Sequence, residues 1–351
     1  MARQILLSAL AALAAGLLLG ARAPAEPPKA EGKDAKDKLA APAYTVSGPY
    51  THANLTIFLL HGKDTLSGKP LMTLQEALEQ KKAVVHETQS VNQLSVENVS
   101  EDVEIYIQPG DIVKGGQQDR ILSHDLIVPP KSGKIPIASF CVESGRWRAR
   151  GAEAVTMFSS SANVANSKDL KVAAQSMGRN QSQVWAKVRE AQRKLAQNLG
   201  KPVENSQSPT SLQLTLEDKK VLEEVDRYVK VLAKAPDGKK DVIGYAVAVN
   251  GDVQAADVYG SNALFLKLWP KLLQGSATEA LAERQADKKF VEPKAAAVTK
   301  FLAESVRGKR TENEIGQRIK QVCQEDDKSL YIEARDAASP AAVIHKSYLK
   351  K

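Results

Sequence analysis

The stretch PGDIVKGGQQDRILSHDLIVPPKSGKIPIASFCVESGRW, Pro109–Trp147, decides how the first half of this chain is read. Ile121–Val128 and Ile135–Val142 are β-type runs, and Pro129-Pro130-Lys131-Ser132-Gly133 between them is a loop. The pattern continues upstream in Asn54–Leu60, Ala83–Glu87, Gln93–Asn98 and Val103–Ile107, each bounded by turn residues. Val103, Ile105 and Ile107 alternate with Glu104 and Tyr106, as in a strand buried on one face. The turn cluster Asn98–Asp102 predicts a hairpin between Gln93–Asn98 and Val103–Ile107. One helix interrupts the series at Thr73–Gln80, opened by the capping box Thr73-x-x-Glu76. Short strands at close spacing predict an antiparallel β-sandwich or barrel-like unit over residues 44–157.

Beyond Met157 a polar Ser/Asn stretch leads into helical periodicity. Val184, Val188, Ala191, Leu195 and Leu199 recur at three and four within Lys168–Leu199, which Gly178 divides and Gly200 and Pro202 end. Leu216–Lys234 is a second helix. Val242–Val249, Asn250-Gly251 and Asp252–Tyr259 then form the strongest hairpin signal in the chain, because Asn-Gly fits a type I′ turn. Ser261 caps a further helix, in which Pro270 predicts a kink or break. Ala277–Glu325 reads as helical and charged, and Leu330–Arg335 and Ala342–His345 as short strands. The class is α+β: a β-rich half at 44–157, then helices plus a second β-hairpin unit at 158–348.

The first residues predict an export signal. Arg3 supplies a positive start, Ile5–Leu19 an apolar run, and Ala21-Arg22-Ala23 a cleavage site, giving segment 1–23 and a mature start at Pro24. The apolar run is shorter than the roughly 20 residues a spanning helix needs, so no stable membrane anchor is expected after cleavage. Pro24–Ala43, rich in proline and alternating charge, is a tether. The expected location is periplasmic or extracellular.

Composition excludes some chemistry. The 351 residues carry a net charge of +8 and 5% aromatics, with no concentrated basic stripe, so nucleic acid is not an expected partner. The five histidines lack ligand spacing, so no metal is expected, and no cofactor fingerprint occurs. No Gly-x-Ser-x-Gly elbow supports a hydrolase triad. Asp252 and Asp257 read as turn and cap residues.

Two polar clusters inside the β region remain as candidate sites. Gly115-Gly116 permits positive φ and is followed by Gln117, Gln118, Asp119 and Arg120. Asp119 could pair with Arg120, or Arg120 could hold an anion oriented by the two amides. In the second cluster Cys141 and Glu143 alternate onto one strand face, with Arg146 and Trp147 at the strand end. A catalytic reading makes Cys141 a reactive thiol activated by Arg146. A structural one pairs Glu143 with Arg146 and sets Trp147 as a roof over the sheet. The two cysteines, Cys141 and Cys323, either form a disulfide or stay unpaired.

The strings Pro109-Gly110-Asp111, Gly115-Gly116-x-Gln118-Asp119-Arg120, Val128-Pro129, Ile135-Pro136-Ile137 and Cys141-Val142-Glu143-x-Gly145-Arg146-Trp147 resemble the ARPP-1 family. This bacterial domain is named for its association with ARG and rhodanese-phosphatase proteins. Ile243–Gly251, Asp257-Val258-Tyr259 and Leu264-Phe265-x-x-Leu268-Trp269-x-x-Leu272-Leu273 are also similar to it. The resemblance spans Tyr44–His345 and implies one domain (44–348) and one constellation of Gln118, Arg120, Glu143, Arg146 and Trp147. It implies no catalytic roles. The expected function is binding of a protein or small polar ligand through Gln117, Gln118, Asp119, Arg120, Glu143, Arg146 and Trp147. The competing expectations are an enzyme using Cys141 and Glu143, and a purely structural motif.

Overall fold

A computed structural model describes residues 44–351 except 67, 69, 166, 286 and 287; the expected signal segment and tether lie outside the described residues. In chain order the first strands are β1 (Thr45–His52), β2 (Leu55–His61) and β3 (Met72–Thr73), followed by α1 (Leu74–Glu79). Next come β4 (Ala83–Ser90), β5 (Gln93–Asn98), β6 (Ile105–Ile107), β7 (Asp111–Gly115), β8 (Arg120–Leu122), β9 (Leu126–Val128), β10 (Lys134–Cys141) and β11 (Met157–Val164). Four helices follow: α2 (Lys168–Gln175), α3 (Gln181–Leu199), α4 (Leu212–Leu216) and α5 (Lys219–Leu232). The chain closes with β12 (Val242–Val249), β13 (Asp252–Tyr259), α6 (Asn262–Ala282), α7 (Ala295–Ser305), β14 (Lys309–Ile315), β15 (Ile319–Glu325), β16 (Ser329–Asp336) and β17 (Ser339–Lys350).

The mixed α+β class holds, and the first β unit is a closed barrel in the order β10-β5-β4-β11-β7-β8. Val85, Leu94, Val96, Val113, Leu122, Ile137 and Phe158 fill it. β3, β6 and β9 form a separate three-stranded sheet beside it. The expected hairpin from β5 to β6 does not form. Asn98 instead donates to the carbonyls of Val103 and Val128 and accepts from the Ser100 amide, so the turn is closed by a side chain and the strand leaves for the other sheet. There Ile105, Tyr106 and Ile107 are all buried, so β6 is covered on both faces. The run Ile121–Val128 likewise breaks at Ser123-His124-Asp125, with β8 in the barrel and β9 in the small sheet.

The second unit is an eight-stranded sheet, β1-β2-β12-β13-β17-β16-β15-β14, antiparallel throughout. Its first two strands come from the N-terminal half, which the division at 157 did not anticipate. The reason lies in β2: Leu55–Leu60 is buried on both faces, so the strand needs cover on each side. It pairs with β12, itself buried throughout. Leu55, Ile57 and Leu59 pack toward α5 and α6, whereas Phe58 and Leu60 pack toward Val298 and Leu302 of α7. The β12–β13 turn is the expected type I′, with φ of 53° at Asn250 and 84° at Gly251.

Three further readings change. The polar stretch after Met157 is β11, a wall of the barrel. α6 continues through Pro270 as one element, held by the burial of Leu268, Trp269, Leu272 and Leu273 around the missing N–H. Residues 309–325, expected as helix, are the hairpin β14–β15. Their charge is that of an exposed edge: β14 is the last strand of the sheet and carries Lys309, Arg310, Glu312 and Glu314, which discourage pairing with another chain.

Candidate functional site

The diglycine sets the first cluster. Gly115 has φ of 115° and Gly116 of 55°, and a Cβ on Gly116 would lie 2.3 Å from the Phe158 ring. Only glycine lets the β7–β8 turn close over the barrel core at that point. The turn brings Gln118, Asp119 and Arg120 inward, opposite the end of β10.

Asp119 and Glu143 are both 0% exposed. Asp119 does not pair with its neighbour Arg120. Its oxygens accept from Arg150 Nη1 at 2.8 Å and Nη2 at 3.0 Å, from the Ser211 hydroxyl at 2.9 Å and from the Gly115 amide at 3.0 Å. Glu143 pairs with Arg146, whose Nε donates to Oε1 at 2.7 Å. The Ser208 hydroxyl donates to the same oxygen, and the Asp119 amide to Oε2 at 3.2 Å. Arg146 spends its remaining donors on the carbonyls of Gly115, Gly116 and Arg148. The Glu143 carbonyl accepts from Gln118 Nε2 at 2.9 Å and from Trp185 Nε1 at 3.1 Å. Burial opposes charge on Arg150, but its hydrogen bonds to Asp119 outweigh that and hold the guanidinium above its ordinary pKa. Two guanidiniums, two carboxylates and the Ser208 and Ser211 hydroxyls thus tie three loops together: β7–β8, β10–β11 and α3–α4.

Arg120 stands apart within this group. It is fully buried, and its Nη1 donates to the Gln118 carbonyl at 3.2 Å and to Cys141 Sγ at 2.9 Å. Nη2 reaches Glu87 at 3.4 Å, and Nε has no partner among the described residues. Trp147, 49% exposed, lies with its ring 5.8 Å from the Arg120 guanidinium, over the start of barrel strand β8. The Gln117 amide donates to Glu87, while its buried Oε1 has no partner among the described residues. Cys141 is buried and unpaired, as is Cys323; burial pushes both thiols up to about 11, partly offset at Cys141 by Arg120. His124 bonds Ser123 and Arg179, and burial followed by the Arg179 charge lowers it to about 4.

A second ionic group lies between the barrel and the large sheet. His345 Nδ1 meets Asp125 at 3.0 Å and its Nε2 meets Asp257 at 3.3 Å. Asp257 also accepts from Lys171 at 3.0 Å and Ser347 at 2.7 Å, and the Tyr106 hydroxyl donates to Asp125 at 2.6 Å. Asp257 is therefore a buried anion in the middle of β13, not a turn or cap residue. Its signal was a carboxylate set among Ala255, Ala256, Val258 and Tyr259 in a strand. Burial works against charge on His345, yet Asp125 and Asp257 together raise it to about 9.

The cavities of about 560, 270 and 170 Å³ in this fold are lined by other residues than the signature clusters. Among the described residues, no group of three or more His, Cys, Asp or Glu side chains is placed to hold a metal, and no helix is long and apolar enough to cross a membrane.

With this geometry in place, the comparison with known families is decisive. The ARG and Rhodanese-Phosphatase-superfamily-associated Protein domain matches residues 43–349. The chain belongs to the ARPP-1 family. No curated protein and no solved structure matches it. The ARPP-1 match takes in the barrel and the eight-stranded sheet together, from β1 to Leu349 in β17. Within this ARPP-1 chain the Gly115–Arg120 and Cys141–Trp147 strings lie where the barrel meets α3 and α4, and Arg150, just beyond the second string, pairs with Asp119 of the first.

Proposed function

We propose that this ARPP-1 chain is an exported, non-catalytic domain that binds a protein or small ligand, and that Gln118, Asp119, Glu143 and Arg146 serve it as an internal lock. One observation carries the lock: the Asp119 and Glu143 carboxylates are buried and fully engaged by Arg146, Arg150, Ser208, Ser211 and backbone amides. A ligand would have to displace these bonds. Buried ionic groups in such a network are positioned to hold loops, and breaking one side leaves an uncompensated charge. The enzyme reading through Cys141 finds little support, since the thiol is buried and shifted away from the thiolate. Export rests on the N-terminal sequence alone, and N-terminal sequencing of the mature protein should read from Pro24.

The test of the lock compares Arg146→Ala with wild type in thermal unfolding and in a thermal-shift screen of metabolites and cell-wall fragments. A large fall in melting temperature supports the lock. Retained stability with lost ligand response would transfer these residues to a binding site. Arg120 supports a second reading on its own observation, the unpartnered Nε beneath half-exposed Trp147. Saturable quenching of Trp147 fluorescence by inorganic phosphate, lost in Arg120→Gln, would establish an anion contact there.

A further inference from the structure

The smallest of the three cavities described above, about 170 Å³, lies between the start of α2, the middle of α3 and the end of α6. Ala191 of α3, Val249 of β12 and Ala282 of α6 give it an apolar side. A cavity on the order of 150 Å³ holds benzene, so this one has room for a body of about six heavy atoms.

Its charges do not balance. Lys168, Lys187 and Lys194 face Asp169, Glu190, Glu279 and Glu283, three cations against four anions. Six of the seven form a continuous ladder: Lys168 to Asp169 at 2.8 Å, Asp169 to Lys187 at 3.1 Å, Lys187 to Glu190 at 2.9 Å, Glu190 to Lys194 at 2.8 Å and Lys194 to Glu283 at 2.6 Å. Glu279 is the seventh. It is 7% exposed, and its carboxylate has no ion-pair partner among the described residues. Its Oε1 accepts from the Lys168 amide at 2.9 Å, and its Oε2 accepts no hydrogen bond among them. The next charges inward do not cancel it, because Lys171 belongs with Asp257, His345 and Asp125 in a group of two cations and two anions. The first turn of α2 and the last turn of α6 also meet here, and their partial charges, opposite in sign, leave the side chains to decide.

We infer that this cavity binds a small organic ammonium ion, its alkyl body on Ala191, Val249 and Ala282 and its N–H donors toward Oε2 of Glu279. A bare metal ion would leave the apolar side unused, and an anion would add to the surplus. The inference rests on the reading of the protein as a binding domain and gives that domain a ligand class. Burial raises Glu279 to about 7 and Asp169 adds to the rise, against the Lys168 amide and the charges of Lys171 and Lys168. Tyr245, the other titratable group beside it, stays neutral in this range. A proton on Glu279 therefore competes with the ligand near neutral pH.

n-Butylammonium and 1-butanol are suitable probes in isothermal titration calorimetry, being alike in shape and different in charge. An alkylamine keeps its proton through pH 8, as a lysine side chain does up to about 10.4. The full mature chain should bind one butylammonium per molecule, about tenfold more tightly at pH 8 than at pH 6, as Glu279 ionises. Glu279→Gln keeps the shape and an acceptor for the Lys168 amide, so circular dichroism should report an intact fold. It should weaken the amine at pH 8 by about tenfold or more and remove the pH dependence. Butanol should bind more weakly than the amine and equally at both pH values. Amine binding that is indifferent to pH or survives Glu279→Gln overturns the assignment, as does butanol bound as tightly as the amine at pH 8. If the amine shows no saturable binding while a ligand found by thermal shift does, this site falls and the binding-domain reading stands. Failure of every probe and ligand on wild type would remove both.

Discussion

Arg150 meets Asp119 in a two-pronged pair, Nη1 to one oxygen at 2.8 Å and Nη2 to the other at 3.0 Å, with both side chains buried. This geometry matches the planar fork of a guanidinium to the planar carboxylate, an arrangement a lysine cannot reproduce. Arg150→Ala leaves Asp119 as a buried anion with Ser211 and the Gly115 amide as its remaining close partners. The expected loss is about 3–5 kcal/mol in denaturant unfolding. Arg150→Lys should recover only part of it. A variant within about 0.5 kcal/mol of wild type would show that the pair is not structural.

The turn preceding this pair has its own requirement. Gly116→Ala forces a methyl into the Phe158 ring and places a side chain at positive φ. Steric overlap with a buried aromatic and the strained backbone together should cost about 2–3 kcal/mol. Combining it with Phe158→Leu should cost less than the two single changes added, because the smaller side chain admits the methyl. Additive losses in that double-mutant cycle would place the damage elsewhere.

What could be read from the residues follows the range of the interactions that encode it. The β12–β13 hairpin was legible because Asn250-Gly251 determines its turn locally, and α1 because Thr73 and Glu76 cap each other within one turn. The break between α2 and α3 near Gly178 was legible for the same reason. The pairing of β2 with β12 was not, since only the two-sided burial of Leu55–Leu60 hints at a central strand and nothing local names its partner. β14 and β15 were misread because an edge strand rich in Lys, Arg and Glu lacks the apolar alternation of a half-buried one. At the site, Glu143 with Arg146 lay within a short string, whereas Arg150 sits outside it and Lys171, Asp257 and His345 converge from distant elements.

Cys141, at the end of β10, provides a direct measure of how closed the barrel end is, and Cys323 in β15 does the same for the large sheet. With the Cys141 and Cys323 thiols raised to about 11, the thiolate fraction at pH 8 falls by about a hundredfold from that of a free cysteine, before any steric shielding. Modification by an aromatic disulfide reagent should be at least that much slower in the folded protein than in denaturant. Rapid labelling of Cys141 in the native state would open the route to nucleophilic chemistry that the geometry closes.

The His345 group makes stability depend on pH in a defined window. An imidazole whose folded pKa is about 9 binds its proton more tightly folded than unfolded, where about 6.5 applies. Its contribution is therefore fully present below about pH 6.5 and disappears as pH rises through about 9. The size is on the order of 3 kcal/mol for this fully buried group. Glu279, raised to about 7 by burial, also lowers stability as pH rises, but between about pH 4.5 and 7. Unfolding measured from pH 7 to 8 therefore isolates the histidine, because the two buried thiols add a fall of their own only as the unfolded cysteines ionise near pH 8.5. Wild type should lose stability steadily across that interval, while His345→Gln should be less stable at pH 7 and nearly flat. A slope retained in the glutamine variant would assign the titration to another group and leave the contacts with Asp125 and Asp257 as ordinary neutral hydrogen bonds.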